Sequence, residues 1–153
     1  MKLVQAVKRL QFLENEIQEL EEAVSRSLVT LEGGDNFVSA DECSAKMIEL
    51  INERRFLKVA ITRTNISTAV KIDMTDGSEQ QITVQELIYL IDDNVDQRYR
   101  LQRARDIVLD QPKAVSLAFD VSTALSQYSF IKERLQYLQD MYTIVQYKQD
   151  LME

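Results

Sequence analysis

Histidine and tryptophan are absent from these 153 residues, cysteine and proline occur once each, and glycine occurs three times. Without histidine there is no imidazole base for a serine or cysteine nucleophile, and without Cys/His sets no zinc-type site is expected. The lone thiol, Cys43, forms no internal disulfide and fits a reducing compartment. Three glycines and one proline supply few tight turns, which argues against an all-β fold and against a glycine-rich phosphate loop. Long apolar runs are missing too. The densest, Leu87-Ile-Tyr-Leu-Ile91, stops at Asp92 and Asp93, far short of the ~20 apolar residues that span a bilayer. The opening residues Met1 to Leu10 alternate charge with apolar side chains and lack the continuous apolar stretch of a signal peptide, so the cytoplasm is the expected location. Basic charge is outnumbered, with 18 Lys plus Arg against 25 Asp plus Glu, and a net charge of −7 disfavours nucleic acid and anionic membranes as partners.

What the sequence does have is helical periodicity. Leu3, Leu10, Ile17, Val24 and Leu31 recur every seven residues, and Ala6, Leu13 and Leu20 form the second position of the same repeat. Glu14, Glu16, Glu19, Glu21 and Glu22 lie between them, so this helix, about 2–31, has one apolar seam and an acidic face. Glu32-Gly-Gly-Asp-Asn36 breaks the repeat. Ser39 with Glu42 reads as a capping box for a second helix, about 40–65, carrying Cys43, Met47, Leu50, Leu57 and Ile61, with Arg54 where an apolar residue is expected. Val70, Ile72 and Met74 then alternate before Asp76-Gly77, which predicts a short ribbon within about 69–82. Thr83 with Glu86 forms another capping box, opening a third helix, about 84–109, which Gln111-Pro112 closes. Alternating Val115, Leu117, Phe119 and Val121 suggest an extended segment at about 114–120. Asp120 or Ser122 then caps a last helix, about 121–152. The expected fold is all-α in a single domain over 1–153: an antiparallel four-helix bundle, or long coiled-coil hairpins, with a short β-ribbon insertion.

This order of elements resembles the septicolysin-like family of small bacterial helical proteins. The likeness rests on the opening Met1-Lys-Leu with its heptads, the acidic Glu-Gly linker, Ile61-Thr-Arg-Thr-Asn65 ending the second helix, Asp76-Gly77 before Thr83, and Asp120-Val121 before the last helix. It departs from that family's pattern at Ile91, where members carry arginine, and at the shortened segment Gln111-Pro112-Lys113. The family it resembles has no established enzymatic activity, so the resemblance implies none in particular. The family name implies pore formation, which this apolar pattern does not support.

Two constellations carry possible chemistry. Arg63, Thr64 and Asn65 offer a guanidinium fork, a hydroxyl and an amide, a combination suited to phosphate or carboxylate. The competing reading is that Asn65 closes its helix in a left-handed conformation while Arg63 offsets the helix dipole. Arg98-Tyr-Arg-Leu-Gln-Arg-Ala-Arg105 places four arginines in eight residues, with Arg98, Arg105 and Arg54 on inward-facing positions. Asp92, Asp93, Asp96, Asp106 and Asp110 are nearby, and Asp96 precedes Arg100 by four residues, so mutual salt bridges are the expected use of this charge. The alternative is that these arginines converge on an anion. Tyr137 and Tyr147 fall off the Tyr128-Leu135-Tyr142 seam, giving the last helix a second apolar face that suggests another subunit.

Adjacent carboxylates such as Asp92-Asp93 point in different directions on a helix, so catalysis is not expected, nor a cofactor or metal. The expected function is a non-catalytic homo-oligomer that binds or sequesters a small anionic ligand, such as a nucleotide-derived one, through Arg63, Thr64, Asn65, Arg98, Arg105 and Lys113. The rival is a structural or adaptor protein that binds other proteins through exposed helix faces. A membrane-active role is disfavoured by the net charge.

Overall fold

The computed structural model describes residues 1–29, 40–110 and 121–152. Their order is α1 (Leu3–Val29), α2 (Ala40–Ser67), β1 (Ala69–Asp73), β2 (Glu79–Thr83), α3 (Val84–Leu109) and α4 (Val121–Lys148). The fold is all-α with one antiparallel β-ribbon inserted between α2 and α3. The predicted segment at 114–120, Lys113 and the cap residue Ser39 lie outside the described residues. The contacts divide the chain into two units: residues 1–65 with 147–153, and residues 66–146.

The first unit is built on the heptad seam. Ala6, Leu13 and Ile17 of α1 meet Leu50 and Leu57 of α2, with Leu20, Met47, Ile51, Ile61 and Leu151 packed around them. Arg9 grips Glu53 with both ends of its guanidinium, Nε to Oε1 and Nη2 to Oε2, each at 2.8 Å. Glu16 meets Lys46 at 3.0 Å. An early residue of α1 thus faces a late one of α2, which makes the helices antiparallel.

Residues 149–152 leave the helix that the sequence pattern extends to 152. They pair with the chain start instead: Leu3 N–H donates to the Gln149 carbonyl (2.9 Å) and Leu151 N–H to the Met1 carbonyl (2.8 Å). Lys2 Nζ meets Asp150 Oδ1 at 2.9 Å. Burying Leu151 in the α1/α2 core favours this turn away from the helix.

In the second unit Val70 and Ile72 point from β1 onto Leu87 of α3 and Leu138 of α4. The strands pair Ala69 with Thr83 and Asp73 with Glu79, and the bend between them has Gly77 at φ +82°, a conformation that favours glycine. Asp76 Oδ1 accepts the Ser78 N–H (2.9 Å) and hydroxyl (2.6 Å), which holds its carboxyl below the usual range. The Thr83/Glu86 capping box forms in full: Thr83 N–H donates to Glu86 Oε2 (2.7 Å) and Glu86 N–H donates to Thr83 Oγ1 (3.1 Å). The α3 and α4 helices are antiparallel, since Leu87 packs with Leu138 while Arg105 lies over the Tyr128 ring.

Candidate functional site

Successive residues on a helix are separated by about 100° of rotation, so three adjacent side chains do not share one face. Arg63, Thr64 and Asn65 behave accordingly. Thr64 is fully buried and its hydroxyl is committed, donating to the Ala60 carbonyl (2.8 Å) and accepting the Met152 N–H (2.9 Å). Asn65 is buried as well, and its Oδ1 has no hydrogen-bond partner among the described residues. It does not close the helix in a left-handed conformation: α2 continues to Ser67, and no described non-glycine residue has positive φ. Arg63 is exposed, on a shallow groove with Asn52, Arg55, Phe56, Val59 and Ala60. The three residues therefore do not converge on one anion.

Arg98 and Arg105 belong to the second unit, on α3, and both are half-buried, as is Arg54 on α2. Arg105 pairs with Asp106 at 3.1 Å and lies 5.2 Å from the Tyr128 ring centroid, which uses both its charge and its flat face. The expected Asp96–Arg100 bridge is not made. Among the described residues Arg98, Arg100 and Arg103 form no ion pair. An exposed helical pair is worth only about 0.3–0.5 kcal/mol, too little to hold two long side chains together.

Arg100 instead borders a groove between α3 and α4, lined also by Gln97, Leu101, Gln127, Phe130 and Ile131, with a volume of about 360 Å³. Its floor is aliphatic and aromatic, and its polar groups are two amides and the guanidinium. Such a surface suits a ligand with a flat or apolar body and an anionic end. The 97-100-101 and 127-130-131 spacings were legible as one helix stripe each, but which stripes face each other depends on the pairing of α3 with α4.

Tyr137 is reassigned by the structure. Its hydroxyl accepts the Asp73 N–H at 2.8 Å, and Arg134 lies over its ring while donating to the Asp73 carbonyl. The off-seam face of α4 at this point is covered by the ribbon of the same chain. Tyr147 does remain exposed. Burial raises the Tyr142 phenol above its ordinary range, which keeps it neutral.

A second apolar face is present on α2, where Ile48, Phe56, Val59 and Ile66 are all exposed while Cys43, Leu50, Leu57 and Ala60 are buried. Ile48, Val59 and Ile66 fall on the three- and four-residue steps from 48 through 52, 55, 59 and 62 to 66, which also carry the polar Asn52, Arg55 and Thr62. No group of three or more His, Cys, Asp or Glu among the described residues could hold a metal ion. None of the described helices is long and apolar enough to cross a membrane.

No protein-family model matches the sequence, and no curated protein matches it. In fold the chain is similar to a functionally unknown conserved protein from Corynebacterium diphtheriae, known from a crystal structure. The TM-score is 0.85 and the identity 14%, over 99% of each chain. At that identity the likeness establishes the helical fold with its ribbon and nothing about activity.

Proposed function

We propose that this chain is a non-catalytic helical protein that assembles with itself and acts through exposed helix faces, in a structural or adaptor role. The observation that supports this reading is the balance of apolar burial. Fourteen apolar residues are buried among the described residues, and fourteen large apolar ones remain exposed, among them Phe12, Phe56, Tyr99, Ile107, Phe130 and Tyr147. A helix pair buries one stripe per helix, and further apolar stripes call for another surface to cover them. Light scattering on the purified chain across a hundredfold concentration range tests this. A mass of two or more chains that falls on dilution is the expected result; a monomer throughout overturns self-assembly.

A second reading, binding of a small anion with an apolar or ring-bearing body, is favoured by the α3/α4 groove, where Arg100 stands without an ion pair beside Phe130. Nucleotides fit that description. A ligand present at 100 times its Kd adds about 2.7 kcal/mol to stability. ATP should therefore raise the melting temperature, inorganic phosphate should do so less, and Arg100→Ala should remove the effect. No shift with millimolar ATP overturns this reading.

A further inference from the structure

We infer that the outer face of α2 pairs antiparallel with the same face of a second copy, on a two-fold axis at Phe56. This rests on the self-assembly reading and names its contact surface. Ile48, Asn52, Val59 and Ile66 recur at heptad-like steps along the exposed side of α2, the pattern of a seam that lies against another helix. The opposite side of the same helix is already used by the Leu50/Leu57 core. Phe56, Val59, Ala60 and Arg63 surround a hollow and are the i, i+3, i+4 and i+7 positions of a hole that a side chain from a facing helix fills.

The occupant follows from charge. Glu49, Phe56 and Arg63 are seven residues apart, so they lie along one flank of the seam. In an antiparallel pair related by a two-fold axis, each flank meets its own copy. With the axis at Phe56, residue 49 of one copy stands across from residue 63 of the other, because the two lie equally far from the axis on either side. Glu49 then meets Arg63 of the second copy twice over, and the two Phe56 rings meet on the axis. Glu49 and Arg63 are both exposed, and neither has an ion-pair partner among the described residues. Ile48 comes within two residues, about 3 Å along the helix, of lying opposite Ile66 in this register. A parallel pair brings opposite flanks together and leaves Glu49 and Arg63 unpaired, so their pairing selects the antiparallel arrangement. Arg55 lies on the seam itself, one residue from the axis, and so comes near its own copy. Arg55 is turned along its helix to donate to Asn52 Oδ1 at 3.0 Å, which draws the charge aside. The contact from Ile48 to Ile66 is about 27 Å long at ~1.5 Å per residue, at the small end of specific interfaces, so dissociation in the micromolar range is expected.

Sedimentation equilibrium of the full chain at low salt, with charge reversals, tests the pairing. Glu49→Arg and Arg63→Glu each replace two attractions with two repulsions and should weaken the dimer about tenfold or more. The double variant restores the charge pairing in swapped order and should return to within about threefold of the parent, whereas a merely unfolded single variant would not be rescued by the second change. Arg55→Ala should leave the dimer as tight or tighten it. In a Cys43→Ser background, Phe56→Cys should cross-link to itself on oxidation and Ile48→Cys alone should not. An oligomer indifferent to both single reversals overturns the α2 pairing while leaving self-assembly in place. A monomer at every concentration overturns both.

Discussion

Replacing Thr64 with valine separates a structural role for this residue from a role in holding a ligand. Valine keeps the shape and the methyl packing and deletes only the hydroxyl. That hydroxyl makes two bonds of unequal worth. The one to the Ala60 carbonyl is expendable, since that oxygen already accepts the helical N–H of Thr64 itself. The one from the Met152 N–H joins residues 88 apart in sequence, and nothing in valine replaces it. A donor left without an acceptor costs about 1–3 kcal/mol when buried. Met152 is 46% exposed, so water recovers part of this and the lower end applies, about 1 kcal/mol. For a unit of this size that corresponds to a fall in Tm of about 4–8 °C. Thermal melts by circular dichroism read the shift, and hydrogen exchange reads its cause: the Met152 amide should lose protection while amides in the middle of α1 keep theirs. Thr64→Ser, which retains the oxygen, should recover most of the loss. If Thr64→Val melts at the parental temperature and the Met152 amide exchanges unchanged, the clasp contributes nothing and the reasoning fails.

In the second unit, Leu138→Ala should cost about 2–5 kcal/mol, because Leu138 is fully buried among Val70, Ile72 and Leu87 and its removal leaves a cavity; urea unfolding followed by tyrosine fluorescence would measure it. Thr83→Ala removes the hydroxyl that accepts the Glu86 N–H and should cost about 0.5–2 kcal/mol, with fraying at the start of α3 visible in amide exchange. Stability should fall in acid. Glu53 beside Arg9, Glu86 bonded to Thr83, Asp76 bonded to Ser78 and Asp150 beside Lys2 all have carboxyl pKa values below the ordinary range. Groups lowered in the folded state stabilise it above their unfolded values, and that contribution disappears as pH falls through the folded ones. Melting temperature should therefore be level above about pH 5 and drop below about pH 4; a rise on acidification would contradict the assigned pairs.

Much of the helical frame is legible in the sequence because its signals are local. The seam at Leu3, Ala6, Leu13 and Ile17 is a matter of spacing, and all four side chains are buried. The Thr83/Glu86 box and the Asp76-Gly77 bend are short-range hydrogen-bond patterns that few residue pairs other than these satisfy. The features that escaped depend on distant partners. The ribbon's grip on α4 needs Asp73 and Tyr137, 64 residues apart. The turn of residues 149–152 out of the helical pattern needs the backbone of Met1 and Leu3. The triplet Arg63-Thr64-Asn65 looked like a site because its chemistry is suggestive when written in a row. On a helix adjacent residues are spread around the axis, and Met152 takes the hydroxyl that an anion would have used. The outer stripe of α2 was present in the spacing, yet one helix with two apolar stripes reads as a blurred single one.

The backbone bridge between Lys2 and Asp150 places one unit inside the other along the chain. Residues 66–146 form a continuous insert, so during synthesis every contact of that unit is available before residue 147 leaves the ribosome. The outer unit cannot add Leu151 to its core, or close the Thr64–Met152 bond, until the insert has been made. Closing the outer contacts costs far less entropy when the 81 intervening residues are already folded than when they are loose, because the effective loop is then short. The α1/α2 core precedes the insert along the chain, so only this terminal clasp must wait for it, and a lesion in the inner unit such as Leu138→Ala should slow the closing of the clasp although no substituted atom touches it.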